Sequence, residues 1–197
     1  FGINLKPLED FFTIGINRVF KDVKGHSGID PTILMWQDME LWYNERRSLD
    51  KLKCIKYCTE NADPIGNYYH FELMNGGFKI PITPTVLYGR GSTGPLSFQL
   101  AYILGCNPII LLGYDCKYKD GKTDFYGINV DHKPHTIATC NRGLKWVSNF
   151  QHSKTIINCS SKNVFDISSK LEDAVNKVSI LYPNIGRKYF INRLFNG

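Results

Sequence analysis

The sequence predicts a single α/β domain: a mostly parallel β-sheet with helices packed on its faces. Three observations lead there. Strand-sized apolar runs alternate with helix-sized segments along the chain, the order that builds parallel sheets through helical crossovers. The 197 residues are 43% hydrophobic and 21% charged, enough to build a core and too apolar for disorder. Finally, residues 89–115 read as a glycine-rich turn, a helix and a buried strand in direct succession. No internal repeat or low-complexity linker divides the chain, so one domain spanning residues 1–197 is expected.

Taken in order, Leu5 to Phe12 reads as a short helix or its tail. Thr13 to Phe20 reads as a strand that ends in a polar loop near Asn17 and Arg18. Asp30-Pro31 is a turn, and Thr32 to Trp36 a second strand with Asp38 just beyond its end. Met39 to Leu49 reads as a helix, Leu52 to Cys58 as a third strand, and Asp63 to Gly66 as a loop. Tyr68 to Leu73 looks extended, and Asn75-Gly76-Gly77 is a tight-turn signal. Pro81 and Pro84 argue against a regular central strand over Ile80 to Leu87, because proline cannot donate to a ladder. A hairpin, a lid or an irregular loop is expected there.

The clearest unit follows. Gly91-Ser92-Thr93-Gly94-Pro95 opens a helix through about Leu104, with Leu96, Leu100, Ile103 and Leu104 at helical spacing. Gly105 fits its stop. Pro108 to Leu112 is a buried strand closed by Gly113-Tyr114-Asp115. Lys117 to Tyr126 is a polar, aromatic loop around Asp120-Gly121. Ile137 to Phe150 is a helix with Cys140, Leu144 and Val147 on one face. Thr155 to Cys159 is the last strand, and Leu171 to Ile180 the last helix.

Several classes are disfavoured. No apolar run approaches the roughly 20 residues of a membrane helix, and no basic-then-apolar signal opens the chain, so a cytoplasmic location is expected. The six cysteines lie far apart, which fits reduced thiols better than a disulfide framework. Cys54 and Cys58 lack a second pair or a nearby histidine cluster, so no metal site is expected. The net charge of +6 and pI near 8.9 permit an anionic ligand. Basic residues are mostly scattered and no binding module is visible, so no specific nucleic-acid partner is expected.

Four groups carry chemistry. Small residues at Gly91-Ser92-Thr93-Gly94 let backbone N–H groups approach a ligand, and a helix starting there favours an anion such as phosphate. The same residues read equally well as a plain N-cap with Pro95 in the first turn. Asp115, at the carboxyl end of a strand, suits a ribose or sugar hydroxyl or a metal, or simply caps a turn. Asp38 sits similarly, and the two carboxylates together could share Mg²⁺. Tyr118 and Tyr126 can donate to a phosphate and Phe125 can stack on a ring, unless the loop is an exposed hairpin. His132 and His135, flanking Pro134 before a helix, include a candidate general base or acid.

At these residues the chain resembles the bacterial lipooligosaccharide sialyltransferases, the related motility-accessory-factor glycosyltransferases, and archaeal 6-hydroxymethylpterin diphosphokinase-like domains. The resemblance runs from Thr13 to Phe165 and is strongest from Gly91 to Gly127. It implies a Rossmann-like sheet that binds a nucleotide sugar. By the same resemblance Asn17 contacts the nucleotide, with Ser92, Thr93 and Gly94 beside it. Tyr118 and Tyr126 hold its phosphate, and His135 deprotonates the acceptor hydroxyl. The family opens with a strand and a Gly-x-Gly-Pro-Ser turn. This sequence begins where that turn would just have ended, so the first strand and turn are expected to be missing from it.

The expectation is therefore a glycosyltransferase-like enzyme moving a sugar, of sialic-acid type if the sialyltransferase resemblance extends to the donor, from a nucleotide-activated donor to an acceptor hydroxyl on a glycan or protein. No cofactor or metal is required. The alternatives are a Mg²⁺-dependent diphosphokinase acting on a pterin-like alcohol, with Asp38 and Asp115 holding the metal, and a non-catalytic nucleotide-binding module. A homo-oligomer is compatible with either.

Overall fold

A computed structural model of the chain describes residues 5, 8, 10–21, 28–89, 92–114, 116, 134–160 and 170–181. Side chains are described within these ranges except at 134–136 and 177–181. Five strands form one sheet in the order of the chain: β1 (Ile14–Ile16), β2 (Ile33–Trp36), β3 (Ile55–Thr59), β4 (Tyr69–Met74) and β5 (Val86–Tyr88). Every neighbouring pair is parallel. A second, two-stranded parallel sheet joins β6 (Ile109–Leu111) to β7 (Ile156–Asn158). The helices are α1 (Met39–Leu49), α2 (Thr93–Ile103), α3 (Pro134–Ser148) and α4 (Leu171–Leu181). This is the expected parallel α/β, Rossmann-like domain.

Strand β2 shows why the layers form. Ile33, Leu34, Met35 and Trp36 are all fully buried, the continuous apolar run of a strand covered on both faces. Alternation sends Ile33 and Met35 into the core built with α2 and α3. Leu34 and Trp36 face the other way, into a cluster with Leu41, Trp42 and Leu49 of α1. Helix α2 is apolar nearly all round, and every residue from Thr93 to Ala101 is buried. It packs against β1, β2, β5 and α3. Phe98 lies edge-on to Trp146 at 5.7 Å, and Trp146 meets Phe150 at 4.9 Å, so aromatic contacts lock α2 to α3. The one buried amide in this layer, Gln99, is satisfied: Tyr88 N–H donates to its Oε1 at 2.8 Å and its Nε2 donates to Tyr88 O at 2.6 Å.

Helices α1, α2, α3 and α4 fall within a few residues of their predicted bounds, and α2 stops at Gly105, whose φ of +83° only glycine adopts without strain. The stretch 75–88 is where a hairpin stood among the expectations, and the structure corrects that. Chain 75–85 is irregular, as the prolines require, but it returns to lay β5 parallel to β4, with Glu72 opposite Val86 and Met74 opposite Tyr88. Strand β4 pairs with β3 through Tyr69 to Phe71 and with β5 through Glu72 to Met74. It changes neighbour halfway along, and the sheet curls there. Among the described residues no helix is long and apolar enough to cross a membrane.

Candidate functional site

In a parallel sheet all strands present their carboxyl ends at one edge, and the polar residues collect there. Asn17 follows β1 with φ of +51°, a left-handed conformation that asparagine tolerates better than most residues. Its N–H donates to Met35 O at 3.0 Å, which continues the β1–β2 ladder by one step. Gln37 follows β2, and its main-chain carbonyl accepts from the Thr59 hydroxyl at the end of β3 at 3.0 Å. Arg18, next to Asn17, is held from behind by Glu45, a buried carboxylate of α1 that also pairs with Lys21. The turn after β1 is thus anchored by charge to α1.

Helix α2 comes after β5 in the chain, yet its first turn reaches the ends of β1 and β2. Thr93 Oγ1 lies 3.5 Å from Asn17 Oδ1, 76 residues away in sequence. The chain has crossed back over the face of the sheet, and α2 now starts at the strands' carboxyl edge, the side on which open α/β sheets take ligands. Ser92 is the N-cap, but its side chain makes no capping bond. The cap comes from Gln37 instead. With its amide oxygen toward the helix, Gln37 accepts from Ser92 N–H, Thr93 N–H and the Thr93 hydroxyl, each at 3.2 Å. The opposite orientation would set its NH₂ against those N–H donors.

Beneath the turn, Tyr114 supports Gly94. Its hydroxyl donates to Gly94 O at 2.8 Å and lies 2.8 Å from Ser97 Oγ. Burial pushes this hydroxyl up to about 12, against the opposing Ser97 hydrogen bond, so it remains a neutral donor. A Cβ on Gly94 would come within 3.1 Å of the Tyr114 ring. On the other side, α3 approaches closely. Cys140 Sγ lies 3.4 Å from Ser92 Oγ, and a Cβ on Gly143 would meet Pro95 Cγ at 2.2 Å. The same helix lines a cleft of about 340 Å³ at the ends of β4 and β5, formed by residues 75–78, Gly89, Thr139 and Arg142. Arg142 donates to Thr139 Oγ1 at 3.1 Å.

Asn17, Ser92, Thr93 and Gly94, singled out from the sequence, are therefore brought together. Ser92 is half-buried, whereas Thr93 is 4% exposed and faces its neighbours. His135 lies in the first turn of α3, five residues before Cys140. Asp115, Tyr118 and Tyr126 lie outside the described residues, as do Phe125 and His132. Asp38 is exposed just before α1 and makes no side-chain cap. Gln37 and Tyr114 were not singled out as site residues; both act through contacts made only when distant segments pack. No known protein family matches the chain, and neither a curated protein nor a solved structure does.

Proposed function

We propose that the chain is a glycosyltransferase-like enzyme that binds a nucleotide-activated sugar at the carboxyl edge of its sheet. The observation that carries this reading is the return of α2 to β1: it sets a helix N-terminus and three small residues against Asn17 and Gln37 at the carboxyl edge of the sheet. A helix N-terminus attracts a phosphate, and hydroxyl and amide side chains suit ribose and base edges. The net charge of +6 favours an anionic donor.

In this reading the leaving phosphate sits before α2, next to the Ser92 hydroxyl and the Gly94 N–H. Gln37 already occupies the N–H groups of Ser92 and Thr93, so the phosphate either shares them or displaces the Gln37 amide. Tyr114 keeps the turn in place from below. His135 takes the proton of the acceptor hydroxyl as the new glycosidic bond forms, and Tyr118 and Tyr126 steady the departing phosphate. Asp115 holds a sugar or ribose hydroxyl. The cleft beside Arg142 is large enough for a sugar. One observation favours the second reading, a Mg²⁺-dependent diphosphokinase: Asp38 stands exposed beside Gln37 at the same edge.

The test is a panel of CMP-, UDP- and GDP-sugars offered with glycan acceptors, following release of the nucleotide with and without Mg²⁺. Release from one donor class without metal, lost in His135→Ala, is the expected result. Turnover of ATP only with Mg²⁺ moves the assignment to the diphosphokinase. No turnover of any donor overturns the enzyme reading.

A further inference from the structure

A second cluster of reactive side chains lies at β3 and β4, built by strand pairing. Cys58 and His70 are direct partners in the parallel β3–β4 ladder, so their side chains leave the same face about 4.8 Å apart at the backbone. The connection between these strands runs only from Glu60 to Tyr68, through a single 3-10 turn. Parallel strands usually need a dozen or more residues to cross over. This short path drops Asp63 over the same face. The indole N–H of Trp36, donating to Ala62 O at 3.2 Å, holds the turn down.

Asp63 is 3% exposed, and its side chain is wholly buried. One carboxylate oxygen, Oδ2, accepts from Tyr68 N–H at 2.8 Å and lies 3.1 Å from His70 Nε2. The other, Oδ1, is buried and has no hydrogen-bond partner. An orphaned carboxylate oxygen loses its solvation with nothing in return, and native proteins rarely leave one. The thiol of Cys58, itself fully buried, lies close by. One ligand atom from each of Cys58, Asp63 and His70 falls within 4.8 Å of the others.

We propose that Cys58, Asp63 and His70 form a zinc site. A thiolate, a carboxylate and an imidazole are the donor set that suits Zn²⁺ rather than Mg²⁺ or Ca²⁺. Tetrahedral zinc spaces its ligand atoms roughly 3.3–3.8 Å apart, so the three groups, within 4.8 Å of one another, need to draw in by at most about 1.5 Å. The ion supplies the missing partner of Asp63 Oδ1. Its two positive charges match one thiolate and one carboxylate, so the buried site carries no net charge. The His70 side chain is 30% exposed, which gives the ion a way in and leaves a fourth position for water. Bound there, zinc pins the short β3–β4 crossover to the sheet. The site faces the α1 side and is independent of the nucleotide reading.

The experiment uses the full chain, stripped with a chelator and titrated with Co²⁺, then with Zn²⁺ as competitor. One equivalent of Co²⁺ with a thiolate-to-cobalt charge-transfer band, displaced by Zn²⁺, is expected. Zn²⁺ should also raise the melting temperature. Cys58→Ser should lose the band, and His70→Gln should weaken binding at least tenfold. Cys54→Ser should keep both. His70 is only partly buried, so His70→Gln carries the test if Cys58→Ser fails to fold. No binding at micromolar metal, binding without the band, or wild-type affinity in His70→Gln overturns the proposal and leaves Asp63 and His70 as a plain ion pair.

Discussion

Gln37 caps a helix that begins 56 residues after it, and this can be tested by removing the amide. In Gln37→Ala, Ser92 N–H and Thr93 N–H lose their acceptor, and the Thr93 hydroxyl keeps only Asn17 Oδ1 at 3.5 Å. Water reaches the half-buried Ser92 N–H, but Thr93 is 4% exposed and its N–H stays dry. Losing a cap costs about 0.5–2 kcal/mol, and stranding a buried donor about 1–3. A net loss of about 2 kcal/mol follows, or roughly 4–8 °C in melting temperature for a domain of this size. Gln37→Glu behaves differently. Its carboxylate accepts from the same groups and adds about 0.3–1 kcal/mol of attraction to the helix N-terminus. Thermal and urea melts of the three proteins are the assay, with the order Glu at or above wild type and Ala well below. Gln37→Ala within about 0.5 kcal/mol of wild type, or Gln37→Glu below Gln37→Ala, refutes the reasoning.

Three further outcomes follow from the same geometry. Gly143→Ala places a methyl where Pro95 Cγ already stands, so α3 must move away from α2; a loss of about 1–3 kcal/mol is expected in urea melts, and an unchanged midpoint would contradict the close approach. Glu45→Gln removes the buried counter-charge of Arg18 and Lys21; about 1–3 kcal/mol is expected to be lost, with faster tryptic cleavage after Arg18 than in wild type. Stability should also fall in alkali. Burial raises Tyr114 from 10 to about 12, and burial with Glu172 nearby raises Cys159 from 9 to about 11. The unfolded chain releases these protons first, so their stabilising contribution is complete below the ordinary values and is lost as pH climbs through the raised ones. For Tyr114 about 1.4 kcal/mol of this is lost by pH ~11, halfway through its raised range, read as a urea midpoint that drops between neutral pH and pH ~11 and drops less in Tyr114→Phe.

What the sequence made legible follows the range of the interactions. Met39 to Leu49 and the α2 segment could be placed because helix signals are local: apolar spacing, a small residue ahead of Pro95, and Gly105 behind. Strand β5 could not be placed. Its three residues follow Pro81 and Pro84, and only pairing with β4 makes them a strand. The Asn75-Gly76-Gly77 turn suggested a hairpin because a turn signal says that the chain bends, not which way its strands then run. The structure brings Asn17 and the Ser92-Thr93-Gly94 turn together, as a crossover helix after a sheet would. Gln37 escaped because nothing near it in sequence shows that a helix will start beside it. The closeness of Cys58 and His70 escaped for the same reason: they stand twelve positions apart, and only the β3–β4 register puts them side by side.

The central claim, a nucleotide site at the carboxyl edge before α2, is tested most directly by nucleotide-induced thermal shift in the wild type and in Gln37→Glu. CMP, UDP, GDP and ATP are each added with and without Mg²⁺. A ligand at a hundred times its Kd stabilises the folded state by about 2.7 kcal/mol, or roughly 5–10 °C here. Such a shift is expected for one nucleoside mono- or diphosphate without metal, and its loss in Gln37→Glu, where a fixed carboxylate repels the phosphate. No shift with any nucleotide, or an equal shift in both proteins, would contradict it.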